Sequence, residues 1–295
     1  MAKKRISLLF LLVLCLGALI ALPVRTYELF NFIDPETGFY AQKSITTVIL
    51  YVISAAVFII PLVLGISYKN PIEKSRVSFS GAALGTAFLI LAAGFVFACY
   101  EGLNDFSTLY KSYNDSTMYL EVGNNSTLTR SGAIDKLGEG IFAGLSAVYF
   151  LLSAASCFTK FNSSKLRLLA LSPVLWCVFR IIFHFMRTIS YINVSELFYE
   201  LIMNVFAIMF FMAFAQVRSN VNAEGIKWKL FAYGAPAAFF SLMCFLPRFI
   251  LTVTGNAELI SDGSRMEICD FAVAVFIIIM LVGAAAGEKR KDVRE

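Results

Sequence analysis

Arg180, His184 and Arg187 are spaced i, i+4, i+7 in an otherwise apolar run, which places all three on one face of a helix. Glu196, Glu200 and Asn204 follow at four-residue spacing, again on one face. The short turn Thr188–Ser195 makes the two segments antiparallel. Folding about it sets Arg187 against Glu196, His184 level with Glu200, and Arg180 level with Asn204. Guanidinium and carboxylate groups form charge-assisted hydrogen bonds, and an imidazole beside a carboxylate can exchange a proton near neutral pH. Arg180 lies about seven residues from the outer end of its apolar run, roughly 10 Å deep at 1.5 Å per residue. At that depth an arginine costs about 2.5–3.5 kcal/mol or more unless a partner or water receives it. Arg248, Glu267, Asp270, Glu139 and Glu101 fall at the same level of their own segments. These residues are expected either to lock helices together or to line an outward-facing polar pocket for a small charged ligand or ion.

Familiar catalytic patterns are missing. A single histidine rules out His-Glu-x-x-His and other two-histidine zinc sites. There is no Gly-x-Ser-x-Gly elbow, no phosphate-binding Gly-x-x-x-x-Gly-Lys-Ser/Thr loop and no Asp-x-x-Asp pair. His184 with Glu200, Glu196 or Asp270 offers one imidazole and several carboxylates, a poor metal set. No metal, cofactor or catalytic residue is assigned, although His184 oriented by Glu200 keeps an intramembrane enzyme as a third reading.

These groups must be positioned by membrane-spanning helices. Of the residues, 59% are hydrophobic and 15% charged, whereas a soluble domain carries about 25% charged residues. A span needs about 20 mostly apolar residues. Eight stretches qualify: Ile6–Leu22, Ile45–Ser67, Phe79–Tyr100, Ile141–Phe158, Leu166–Met186, Leu197–Gln216, Leu230–Leu246 and Phe271–Gly287. The expected fold is therefore an all-α, polytopic integral membrane bundle over residues 1–295, one transmembrane domain.

Basic residues orient it. With the amino terminus inside, the five inner segments carry Lys3, Lys4 and Arg5; Lys69, Lys74 and Arg76; Lys160, Lys165 and Arg167; Arg218, Lys227 and Lys229; and Lys289, Arg290, Lys291 and Arg294. Every short inner connection is basic, as the positive-inside rule requires. Both termini are thus expected in the cytoplasm, with the chain in a plasma membrane of bacterial inner-membrane type. The net charge of +5 follows from this topology and does not point to nucleic acid. Residues 1–22 could alternatively be a cleaved signal peptide, leaving seven spans.

Two outer segments stand out. Pro23–Ser44 holds five aromatic residues around Asp34-Pro35-Glu36-Thr37-Gly38 and reads as an interfacial belt or a lid. Glu101–Gly140 is the longest. It carries Phe106, Tyr110 and Tyr113 at near-helical spacing, then a β-hairpin pattern from Met118 to Arg130. It reads as a structured cap between the third and fourth spans, suited to a protein partner. Gly81/Gly85, Gly140/Gly144 and Gly283/Gly287 are small-residue pairs that let helices approach. Pro61, Pro173 and Pro236 lie in or near spans and are candidate kinks. The six cysteines read as packing residues, with Cys244 and Cys269 flanking one outer loop. The leading functional expectation is a permease or the membrane subunit of one, acting on a small charged solute or ion. Its ligand or ion site would draw on Arg180, His184, Arg187, Glu196, Glu200, Asn204, Arg248 and Asp270. The alternative is a sensor or scaffold that presents its outer loops to a partner.

Overall fold

The computed structural model describes residues 2–32, 44–67, 82–115, 120–121, 127–128, 130–159, 167–186, 194–219, 226–260 and 266–292. Eight α-helices run through them: α1 (Ala2–Asn31), α2 (Ile45–Ser67), α3 (Ala82–Asp115), α4 (Arg130–Phe158), α5 (Ser172–Met186), α6 (Val194–Arg218), α7 (Lys227–Val253) and α8 (Ile268–Asp292). Each expected span, where described, falls on its own helix. Among the described residues seven helices are long and apolar enough to cross a membrane, and the chain is a multi-pass membrane protein. The eighth apolar segment, Leu169–Phe185, joins a 3₁₀ turn (Leu169–Leu171) to α5 and is shorter. It lies at the lower length limit for a span.

The helices outrun the expected boundaries at one end of the bundle. Helix α1 continues through Pro23 to Asn31, so the first part of the supposed outer loop is helical. A proline removes one backbone donor, and here the buried contacts of Arg25, Glu28 and Leu29 hold the last turns in place. Helix α3 continues from Tyr100 to Asp115, and α4 starts at Arg130 rather than at Ile141. From Gly94 to Asp115, α3 runs on for about 30 Å at 1.5 Å per residue. The expected cap is thus mainly two helix extensions. Its hairpin pattern appears as the antiparallel pair β1 (Leu120–Glu121) and β2 (Thr127–Leu128), with Leu120 opposite Leu128 and Glu121 opposite Thr127.

Contacts between helix ends show the alternation of chain direction. At one face, the end of α6 reaches the end of α4 through Arg218 and Ser156. A Cβ at Gly85, near the start of α3, would strike the Phe158 ring at 2.5 Å, and one at Gly65, near the end of α2, would meet Trp228 at 2.9 Å. At the other face sit the end of α5, the start of α6, the end of α7 and the start of α8.

Lipid tails are as apolar as leucine, so helices in a bilayer associate through close packing rather than by escaping water. Helix α7 lies deepest, with Phe231, Ala232, Ala235, Ala237, Ala238 and Phe239 all fully buried. Helices α3, α4, α5, α6 and α8 share an aromatic core. Phe95 stacks on Phe150 at 5.6 Å and meets the edge of Trp176 at 4.9 Å, and Phe88 lies 5.3 Å from Phe276. Leu8, Leu12, Leu16 and Leu19 on α1, and Val48, Val52, Ile59 and Val63 on α2, face outward as a lipid-compatible surface. Gly102 and Gly140 form the tightest backbone approach: a Cβ on Gly102 would lie 2.9 Å from the Gly140 Cα. A Cβ at Gly283 would meet nothing within 4 Å among the described residues. Pro61, Pro236 and Pro247 lie within helices, and Pro173 is the second residue of α5, where its missing donor costs little.

Candidate functional site

The buried charge gathers where α5, α6, α7 and α8 meet. Helix α5 brings Arg180 and His184 to one face, one turn apart. Arg180 is 3% exposed, and its Nη1 and Nη2 donate to the two carboxylate oxygens of Asp270 at 2.7 and 3.3 Å. Nη2 also lies 2.7 Å from Glu267, just before α8. Its guanidinium carbon sits 4.8 Å from the centre of the Trp176 ring. This forked geometry, closed on one side by an aromatic face, is what a guanidinium needs in place of water.

A second chain of contacts runs beside the first. Glu200 on α6 accepts a 2.6 Å bond from Arg248 Nη2 on α7 through Oε1, while its Oε2 lies 3.3 Å from His184 Nε2. Glu200 therefore bridges α5 and α7. Arg248 is 4% exposed, and the cost of burying it is offset by this pairing.

Two further pairs flank the centre. On α1, Arg25 and Glu28 are 3% and 0% exposed, 3.6 Å apart, and the Arg25 guanidinium lies over the Tyr199 ring at 5.2 Å. On α4, Lys136 donates to Glu139 at 2.7 Å and sits 4.2 Å from the centre of the Phe183 ring. The network thus sets four permanent cations (Arg25, Lys136, Arg180, Arg248) against five carboxylates (Glu28, Glu139, Glu200, Glu267, Asp270), with His184 among them. At its rim, burial pushes the Glu267 carboxyl up. Nearby Arg180, aided by Lys136, His184 and Arg248, outweighs that and holds it below the ordinary glutamate range.

The expected pairing of His184 with Glu200 is present. The placing of Arg180 level with Asn204 is not how Arg180 is satisfied. Arg180 reaches across to α8, because a pair of carboxylates outcompetes a neutral amide for a guanidinium. Asn204 instead donates from Nδ2 to the Glu200 carbonyl at 2.9 Å. Its Oδ1 and the Ser241 hydroxyl on α7 are buried with no hydrogen-bond partner among the described residues. Arg187 and the side chain of Glu196 lie outside the described residues, as does the whole turn from Asp34 to Gly38. Cys244 and Cys269 form no disulfide, and none joins the other four described cysteines.

The Arg25–Glu28 pair is invisible to a reading that ends the first helix at Leu22. The signal for it is the spacing of Leu22, Arg25, Glu28 and Leu29, which continues the helical period beyond Pro23. The opposite face of the bundle is also less plain than the sequence suggests. There Lys227 is 3% exposed and Arg218 donates to Ser156 at 2.5 Å.

Between α1, α6 and α7 lies a crevice lined by Arg25, Leu29, Tyr199, Met243, Cys244 and Arg248. Its cavity volume is about 10 Å³, roughly the space one water needs. Among the described residues no group of three or more His, Cys, Asp or Glu side chains is arranged to hold a metal ion. No family model, curated protein or solved structure matches the chain.

Proposed function

We propose that this chain is a permease, or the membrane subunit of one, for a small charged solute or ion, with its polar site open to the outer face when the ion pairs part. The observation that carries this reading is the buried network joining α5, α6, α7 and α8 through Arg180, Asp270, His184, Glu200 and Arg248. Buried ion pairs are a weak route to stability, because apolar residues of similar volume often serve as well or better. Ionisable groups inside a membrane bundle more often mark solute paths and proton relays. A polar track also continues inward. Asn204 lies one turn, about 6 Å, below Glu200, and Ser241 lies about 10 Å below Arg248 at 1.5 Å per residue. With a crevice the size of one water, the network described here corresponds to a closed gate.

The proposed topology places both termini in the cytoplasm and the network in the outer half, as the basic connections indicate. One transmembrane domain then occupies the whole chain in a plasma membrane, with residues 101–140 as an outer surface for a protein partner. The test is ion flux into proteoliposomes, read with ion-selective electrodes and a lumenal pH dye under gradients of chloride, sodium, potassium and protons in turn. The wild-type protein gives a saturable flux of at least one of these. Glu200→Ala, shown to be folded by circular dichroism and monodisperse elution, loses it. No wild-type flux of any of the four, or an unchanged flux in folded Glu200→Ala, would sink the reading.

A further inference from the structure

We propose that the crevice between α1, α6 and α7 is a binding site for a monovalent anion of halide size. The anion is taken up together with one proton, which is held by the His184–Glu200 pair. The binding part stands on the crevice itself; only the passage of the ligand across the membrane rests on the permease reading above.

The lining selects the charge. Two arginines from different helices, Arg25 and Arg248, border the same space and are 3% and 4% exposed. Tyr199 also lines the space, with its ring beneath the Arg25 guanidinium. The remaining lining residues, Leu29, Met243 and Cys244, add no carboxylate. Buried guanidinium groups in a low-dielectric wall attract an anion far more strongly than they would in water. The crevice is partly open, and its space for about one water-sized group suits a single-atom anion better than a larger carboxylate or phosphate.

Charge balance then requires the proton. Among the described residues Glu28, Glu139, Glu200, Glu267 and Asp270 outnumber Arg25, Lys136, Arg180 and Arg248, so these groups offer no surplus of positive charge for another anion. Lys136 is held by Glu139 on α4, Arg180 by Asp270 and Glu267 at the start of α8, and Arg25 faces Glu28 on α1. An anion on Arg248 competes with Glu200 Oε1, its 2.6 Å partner. Glu200 is then left beside His184 alone, at 3.3 Å. A proton taken from bulk water onto that pair returns the network to its starting charge with the least rearrangement. No covalent bond is made or broken apart from this proton transfer.

The test uses the full chain in nanodiscs of zwitterionic lipid, titrated with sodium chloride against sodium gluconate at constant ionic strength. Calorimetry reads binding, and an indicator dye in weakly buffered solution reads protons. The expected result is saturable chloride binding, with proton uptake approaching one per chloride wherever the unliganded pair is deprotonated. Affinity falls about tenfold per pH unit once the pair is deprotonated. Arg248→Gln lowers affinity about tenfold or more through loss of a charge-assisted contact. Glu200→Gln binds chloride with no proton uptake and no pH dependence, because the carboxylate that needed the proton is gone. If either variant fails to fold, the wild-type titration still decides. Gluconate matching chloride, no saturable binding, or wild-type binding without proton uptake would each overturn the proposal. Chloride binding with no flux in vesicles defeats the permease reading and leaves this site standing. Flux of another ion with no chloride binding does the reverse.

Discussion

Removing Asp270 should destabilise the bundle by an amount set by what Arg180 keeps. Both side chains are 4% exposed and are joined by two hydrogen bonds, so neither can turn to solvent without rearrangement. Breaking a buried pair by deleting one partner costs about 3–5 kcal/mol. In Asp270→Ala, Arg180 retains Glu267 at 2.7 Å, and that carboxylate is 26% exposed and partly hydrated. The expected loss is therefore at the lower limit, about 3 kcal/mol, or roughly two orders of magnitude in the folding equilibrium. Arg180→Ala is worse, near about 5 kcal/mol, because it leaves two carboxylates facing each other with no cation between them. Replacing both partners by leucine removes the desolvation cost along with the attraction, and should return stability to within about 1 kcal/mol of wild type. The assay is reversible unfolding in mixed micelles, followed by helical circular dichroism. Single variants within about 0.5 kcal/mol of wild type, the scale of ordinary surface changes, would refute the reasoning. So would a double variant as unstable as the sum of the singles.

Other outcomes follow from the same structure. Gly102→Val drives a branched side chain into the Gly140 backbone, 2.9 Å from the Cβ position, where no flexible group can yield. Thermal unfolding should show a loss of about 1–3 kcal/mol, as overpacking typically costs. Gly283→Ala meets open space and should be neutral or stabilising by about 0.4–1 kcal/mol through reduced unfolded-state entropy. Glu267 binds its proton less readily when folded than its ordinary value of 4.5. Its stabilising contribution is therefore fully present above about pH 4.5 and lost as pH falls through the lower folded value. Glu267→Gln should flatten that acid limb of a stability–pH profile. In the proposed topology, cysteines introduced at Thr159 and Asn256 lie on opposite sides of the membrane in a cysteine-free background. An impermeant maleimide applied from outside should label only the second.

Helix existence was legible because lipid imposes one simple constraint, a long apolar run for each crossing. Every described run of that kind is a helix. Helix ends were less legible, because outside the hydrocarbon the chain is freed from that constraint. Tyr100 to Asp115 stays helical on its own periodicity, not on hydrophobicity. Pro23 looks like a stop signal, yet Arg25, Glu28 and Leu29 find buried partners beyond it. His184 with Glu200 could be read from the turn between consecutive helices, since that turn fixes their relative height. Arg180 with Asp270 could not. The two are 90 residues apart, and nothing local places α8 beside α5. Arg25 entered the crevice for the same reason, through packing between the first helix and the deeply buried α7.

The central claim is that the buried network serves passage rather than cohesion. The most direct measurement is ion flux into proteoliposomes carrying the Arg180→Leu/Asp270→Leu protein, compared with wild type under the same gradients. The account predicts a folded double variant that carries no flux where wild type does. An undiminished flux from that variant would contradict it and leave the ion pairs as structural fasteners.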